Sequence, residues 1–252
     1  MFDVIIFLAG LMMGSFINVL ATRVLHQRPF FTARSACPSC HTIIAWYDNI
    51  PLISFIVLRA RCRTCNVSIS WLYPATELAA GFLAVILAQL TNDPIIYTAY
   101  SLFLLALLAA TRTDLEAMLI PQLFSLWMVP IGVACAYLGY IEITLTESLL
   151  GAAAGYGLLW SIAALFRYFT QRDGLGEGDM ELLACIGSFL GPLGIWLSLL
   201  IGSMVGLVIG VALIISKQHT LQTRIPFGPL LALGAIIYLV KSSWLLACMF
   251  GL

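Results

Sequence analysis

Long apolar runs leave this chain few folds to choose from. Stretches from about Phe2 to Ala21, Leu72 to Leu90, Ile95 to Ala110, Ile120 to Tyr140, Leu149 to Phe166, Leu193 to Ser216 and Phe227 to Phe250 each read as membrane spans, a helix of about 20 residues being what the hydrocarbon core requires. A further piece, Met180 to Leu190, is shorter and counts as a short or half-buried helix, which makes eight in all. The expected fold class is an all-α polytopic membrane protein. Composition agrees: 62% of residues are hydrophobic, 10% are charged and the mean hydropathy is +1.02, values foreign to a water-soluble domain. Val4 to Leu20 follows Asp3 rather than a basic segment and is expected to stay as a helix instead of being cleaved as a signal peptide.

The formal net charge is zero, so the overall balance identifies no partner. The lipid bilayer is the expected partner and nucleic acid is not. Placement of the charges is more informative, because Lys and Arg favour cytoplasmic loops. Arg23, Arg28, Arg34, Arg59, Arg61 and Arg63 crowd the first loop, and alternating eight helices from there puts Arg112, Arg167, Arg172, Lys217 and Arg224 on the same side. Only Lys241 of the twelve basic residues disagrees. This orientation also puts Asp114 and Asp179 on one side, the cytoplasmic one. The expected organisation is a first transmembrane helix over 1–21, a cytoplasmic domain over 22–71 and a membrane helix bundle over 72–252.

The soluble piece contains CPSC (Cys37, Cys40) and CRTC (Cys62, Cys65), two CxxC pairs with 21 residues between them. Thiolates two residues apart grip one tetrahedral Zn²⁺ from a tight turn, and two such turns complete a four-cysteine site of zinc-ribbon type. Two disulfides or a redox pair are the alternatives, and a cytoplasmic location argues against stable disulfides. A loop with so few large apolar residues needs a metal as its staple. His41 is read as a solvated loop residue, and Cys135, Cys185 and Cys248 as packing. The run from Ala45 to Arg61 either lies against the membrane surface or re-enters it.

Asp179 lies in GLGEGDMELL (Gly174 to Leu183), where a glycine-rich loop enters an apolar segment, and Asp114 lies in comparable surroundings in LLAATRTDLEAMLIPQ. A carboxylate at the centre of a bilayer costs about 2.5 to 3.5 kcal/mol on insertion scales, so acids retained there are functional candidates. Two carboxylates held together share a proton, and such a pair acts as base towards water and acid towards a leaving amine. The glycines let a backbone approach an extended peptide closely. On these residues alone, proteolysis and ion or proton transport stay open together. Glu116, Glu177 and Glu181 flank the two aspartates and are substitutes for either; Glu116 and Glu177 are read as solvated at headgroup level. Glu77 sits one turn into its helix and needs a partner, an arginine of the first loop being one candidate.

The ordered set GSFINV (Gly14 to Val19), CxxC with CRxC, YPATE (Tyr73 to Glu77), an aspartate followed by LIP (Asp114, Leu119 to Pro121), GxGD (Gly176 to Asp179) and PFGP (Pro226 to Pro229) resembles the type IV prepilin peptidases over nearly the whole chain. That resemblance implies a bacterial inner-membrane aspartic peptidase of the GxGD class. Its members cleave the basic leader of prepilins and pseudopilins at the cytoplasmic face and then N-methylate the new terminus with S-adenosylmethionine. Asp114 and Asp179 match the catalytic aspartates, and Cys37, Cys40, Cys62 and Cys65 match the zinc domain of the bifunctional members. Methyl transfer comes from the resemblance alone, since no strand-borne glycine fingerprint is present. A peptidase without methyl transfer and a zinc-stapled ion or proton transporter are the alternative functions.

The chain departs from the family pattern twice. Glu181 stands where Lys is usual, and Gln122 where Asp is usual after LIP. A glutamate facing the aspartates favours the protonated pair, whereas one turned away has no such effect.

Overall fold

The computed structural model describes residues 2–27, 35–172, 174–216 and 225–250, the last nine by backbone alone. Arg28, Arg34, Lys217 and Arg224, which bear on the expected orientation, lie outside these residues, and so does the Cys248 side chain. Among the described residues the elements are α1 (Phe2–Leu25), α2 (Ile53–Val57), α3 (Leu72–Leu90), α4 (Pro94–Ala117), α5 (Met128–Tyr137), α6 (Leu145–Thr170), α7 (Glu177–Ile215) and α8 (Gly228–Phe250), with 3₁₀ turns at Trp46–Asn49 and Gln122–Phe124. Isolated bridges join Ala36 to Ile43 and Arg61 to Ser68. Helices α1, α3, α4, α6 and α7 are each long and apolar enough to cross a membrane. Large apolar side chains face outward from them, Leu150, Leu207 and Val208 among others. In water this surface would be costly; in lipid it is the surface a membrane protein needs.

Residues 1–92 form one compact unit. Here α1 packs on α3 with almost no spacing, since a Cβ on Gly14 would lie 2.7 Å from the Glu77 Cα and one on Gly10 would lie 2.8 Å from the Ala80 oxygen. Small residues four apart permit this approach, and packing rather than hydrophobicity holds helices together in lipid. Buried Asn18 donates from Nδ2 to the Tyr73 oxygen across 3.0 Å, so the GSFINV and YPATE motifs meet at this seam. Glu77 does find a partner, although a different one from the arginine considered above. Its Oε2 accepts from the Leu52 N–H at 2.9 Å. Leu52 holds φ at 60° and leads into α2, whose Ile53, Ile56 and Val57 are exposed.

Residues 93–252 form the second unit. Asp93 caps α4, accepting from Ile95 N–H at 2.7 Å, with Pro94 at the first helical position, where its missing N–H costs nothing. Thr144 and Glu147 form a capping box on α6. Between α6 and α7 the backbones touch: a Cβ on Gly151 would lie 2.2 Å from the Gly187 oxygen, and one on Gly155 would lie 2.5 Å from the Leu183 oxygen. The Phe103 and Phe189 rings, both fully buried, stack at 4.6 Å between α4 and α7.

Two expected segments differ in detail. Over Ile120 to Tyr140 helix is not continuous, since the 3₁₀ turn ends at Phe124 and α5 has ten residues. The segments expected at Met180–Leu190 and Leu193–Ser216 belong to α7, which breaks between them at Gly191, with φ 69° and ψ −171° and Pro192 next. A backbone at that φ suits glycine, and the following proline removes a helical donor.

Candidate active site

Asp114 lies in the last turn of α4, which Met118 closes in the left-handed conformation, its N–H bonded to the Asp114 oxygen. The Asp114 side chain is 6% exposed, and its Oδ2 accepts from the Gly228 N–H across 2.9 Å at the start of α8. Asp179 lies in the first turn of α7, where helix-end amides favour negative charge. Its carboxylate lies beside Gly176, a Cβ there falling 3.5 Å from Oδ2, and is within electrostatic range of Asp114.

Ile120 joins the three helix ends. It is buried, and a Cβ on Gly178 would lie 2.9 Å from its Cβ while a Cβ on Gly228 would lie 2.9 Å from its Cδ1. The LIP, GxGD and PFGP stretches are therefore assembled around one side chain. Gly228 as a donor to Asp114 was beyond sequence reasoning, because a backbone amide leaves no mark in the side-chain pattern; PFGP was visible only as a motif.

The neighbouring acids separate. Glu177 is exposed, and Glu116 is exposed and paired with Arg112, as solvated positions would be. Glu181 is buried and accepts at Oε1 from Gln122 Nε2 across 3.0 Å and at Oε2 from Ser125 Oγ across 2.9 Å. Glu181 and Gln122, both singled out in the sequence, are thus bonded to each other.

Cys37, Cys40, Cys62 and Cys65, in the first unit, bring their Sγ atoms within 4.8 Å of one another, with Cys37 to Cys65 at 3.8 Å and Cys40 to Cys62 at 4.0 Å. A tetrahedron with Zn–S of about 2.3 Å has edges of about 3.8 Å, so the donor set fits a zinc ion. All four cysteines are free of disulfides. Each pair sits on the same turn: His41 N–H bonds to the Cys37 oxygen and Asn66 N–H to the Cys62 oxygen, both residues at φ 57°. His41 is exposed and serves as that turn residue. Thr42, whose hydroxyl oxygen lies 3.4 Å from the Cys40 sulfur, brings the Cys40 thiol down to about 6. Although the Val67 amide favours its thiolate, lost hydration and the other three sulfurs push Cys65 up to about 12. Four thiolates at this spacing need a cation. Cys185 is fully buried and Cys135 partly so, as packing requires.

Beside Asp179, Met180 lines a recess of about 360 Å³ with Trp160, Ala163, Ala164, Arg167, Tyr168 and Gln171. Its lining has no acid for a ribose diol, and its one charge, the Arg167 guanidinium, has the same sign as a sulfonium, which does not suit S-adenosylmethionine.

Comparison with known proteins follows the same division. Residues 8–91 match the model of the bacterial peptidase A24 N-terminal domain, and residues 101–211 that of the type IV leader peptidase family. A prepilin leader peptidase/N-methyltransferase of Aeromonas salmonicida is 36% identical, covering 94% of this chain and 89% of its own. Proteins of that name from Stutzerimonas stutzeri and Pseudomonas aeruginosa are 34% and 33% identical, each covering 92% of this chain and 88% of its own. No solved structure matches. With both aspartates inside the second matched region, the four cysteines inside the first, and relatives aligned almost end to end, the chain belongs to the type IV leader peptidase family.

Proposed function

We propose that Asp114 and Asp179 act as a pair that cleaves the basic leader of type IV prepilins and pseudopilins at the cytoplasmic face of the bacterial inner membrane. The observation that carries this reading is the meeting of the α4, α7 and α8 ends around Ile120, with Asp114 held by the Gly228 amide and Asp179 within reach of its charge. A pair so placed shares one proton and titrates jointly. The unprotonated aspartate takes a proton from a water as it attacks the scissile carbonyl. Its protonated partner donates a hydrogen bond to the developing oxyanion and then supplies the proton that the leaving amine needs.

In this reading the substrate's apolar helix lies in the bilayer and its basic leader in the cytoplasm, so membrane depth selects the bond. The glycines before Asp179 leave room for an extended backbone. We read eight membrane segments: α1, α3, α4, the region 122–137, α6, the two parts of α7 on either side of Gly191, and α8. The functional division follows the sequence, with 1–21 as anchor, 22–71 as the zinc-bearing piece and 72–252 as the peptidase bundle. Bound zinc would be held by Cys37, Cys40, Cys62 and Cys65 and would cross-link the two CxxC turns. Methylation of the new terminus with S-adenosylmethionine is supported by the relatives' names, and no residue here is given a part in it.

The test is incubation of purified protein in detergent with a prepilin and mass spectrometry of the product, which reads cleavage site and added methyl together. Asp114→Asn and Asp179→Asn are expected to insert normally and to leave the leader uncut. Normal processing by either variant overturns the proposal.

A further inference from the structure

We infer that Glu181 is a positioning residue for the peptidase reaction, its carboxylate tying the turn that follows the Asp114 helix to the helix that carries Asp179. The inference rests on the reading of those two aspartates as the reactive pair. Glu181 is 8% exposed on a membrane helix, where an acid is retained only with good partners. It has them at both oxygens: Gln122 Nε2 at 3.0 Å and Ser125 Oγ at 2.9 Å. Ser125 is fully buried, and its own N–H bonds back to the Gln122 oxygen, as does that of Trp127. The carboxylate therefore grips both ends of one compact turn.

The position of that turn matters. After Met118 the chain leaves α4 and runs without regular helix to Gln122, so nothing in the backbone ladder fixes where Ile120 goes. Ile120 is the residue that packs on Gly178, one position before Asp179, and on Gly228, whose amide holds Asp114. From Glu181 the path to Asp114 is short: Gln122 and Ser125, then Ile120, then Gly228. Losing the clamp lets Ile120 shift, and with it the amide that aims Asp114 towards Asp179.

A lysine at position 181 with an aspartate at position 122 would join the same segments by an ion pair, where this chain uses a carboxylate and an amide. Either exchange alone spoils the contact. A lysine in place of Glu181 would face an amide and a hydroxyl, and an aspartate in place of Gln122 would face a glutamate. Both together rebuild it as an ion pair.

Cleavage kinetics on a prepilin, with thermal unfolding of each variant in detergent to count folded enzyme, test the inference. Glu181→Ala, Glu181→Lys and Gln122→Asp are each expected to lower kcat about ten- to a hundredfold, the scale of an ångström-sized misplacement, with KM within about twofold of wild type. The double variant Glu181→Lys with Gln122→Asp is expected to return to within about threefold of wild type, a recovery that simple loss of packing does not give. Wild-type kcat in Glu181→Ala, or a double variant no better than the worse single, overturns the inference. Asp179→Asn run alongside separates the two failures. If it is inactive while Glu181→Ala is normal, only the positioning role falls; if it cleaves, the aspartate reading falls first.

Discussion

The Gly228 amide donates to Asp114 Oδ2 across 2.9 Å, and the space that a side chain on that glycine would need is already taken. A Cβ there would lie 2.9 Å from the same Oδ2 and 2.9 Å from Ile120 Cδ1, closer than real Cβ atoms come. Gly228→Ala is therefore expected to push the carboxylate off its donor and lower kcat about ten- to a hundredfold while the protein still inserts. Cleavage assays at saturating substrate check this, with Gly157→Ala, whose Cβ meets nothing within 4 Å, as the control.

The α6–α7 seam makes a prediction about stability instead. Gly151 and Gly187 oppose each other so closely that a Cβ on either would lie within 2.3 Å of the other's backbone oxygen. Gly151→Leu is expected to force the helices apart and to destabilise by about 2 kcal/mol or more, as overpacking of a filled interface does. Thermal unfolding in detergent reads the difference, and no comparable shift is expected from Gly157→Leu.

Much of this is legible in the residues themselves. Apolar length marks the long helices, Cys37, Cys40, Cys62 and Cys65 mark the metal-binding turns by spacing, and Asp114 and Asp179 stand out as acids where acids are costly. Even the break in α7 falls between two segments read as separate, because Gly191 and Pro192 punctuate any helix. What stays hidden depends on partners far along the chain. Residues 120–140 look like one apolar span, yet Gln122 and Ser125 turn towards Glu181, a contact 56 residues distant for Ser125, and the helix restarts only at Met128. Glu77 plainly needs a partner, but a backbone amide held by Leu52 at positive φ has no side-chain signature.

Metal removal should act on one unit. The four Sγ atoms are spaced for a tetrahedral ion in a loop with little core of its own, so structure there is expected to depend on a bound metal. One zinc per chain is expected by elemental analysis, and Cys37→Ser with Cys62→Ser, or exhaustive chelation, is expected to raise amide exchange across residues 35–71. Exchange in α6 and the first part of α7 should stay as it was. Uniform loss of protection in both regions, or none in either, contradicts a local staple.

Asp48 and Arg63 close a forked ion pair, Nε to Oδ2 at 2.7 Å and Nη2 to Oδ1 at 2.6 Å, and Arg63 sits inside the second CxxC turn. The bonds from Arg63 hold the Asp48 carboxyl below its ordinary value of 3.8. A carboxyl that is more acidic in the folded than in the unfolded chain contributes stability above the unfolded value, and that contribution fades as pH falls through the folded one. Asp48→Asn is therefore expected to loosen the turn at pH 5 to 8 and to retain zinc less well under a fixed chelator challenge there. The gap between variant and wild type should begin to narrow as the pH falls below about 4, the unfolded value, and close as it passes through the lower folded one. Chelator competition followed across that range checks it: a gap that widens towards low pH would mean that the fork does not steady the turn through its charge.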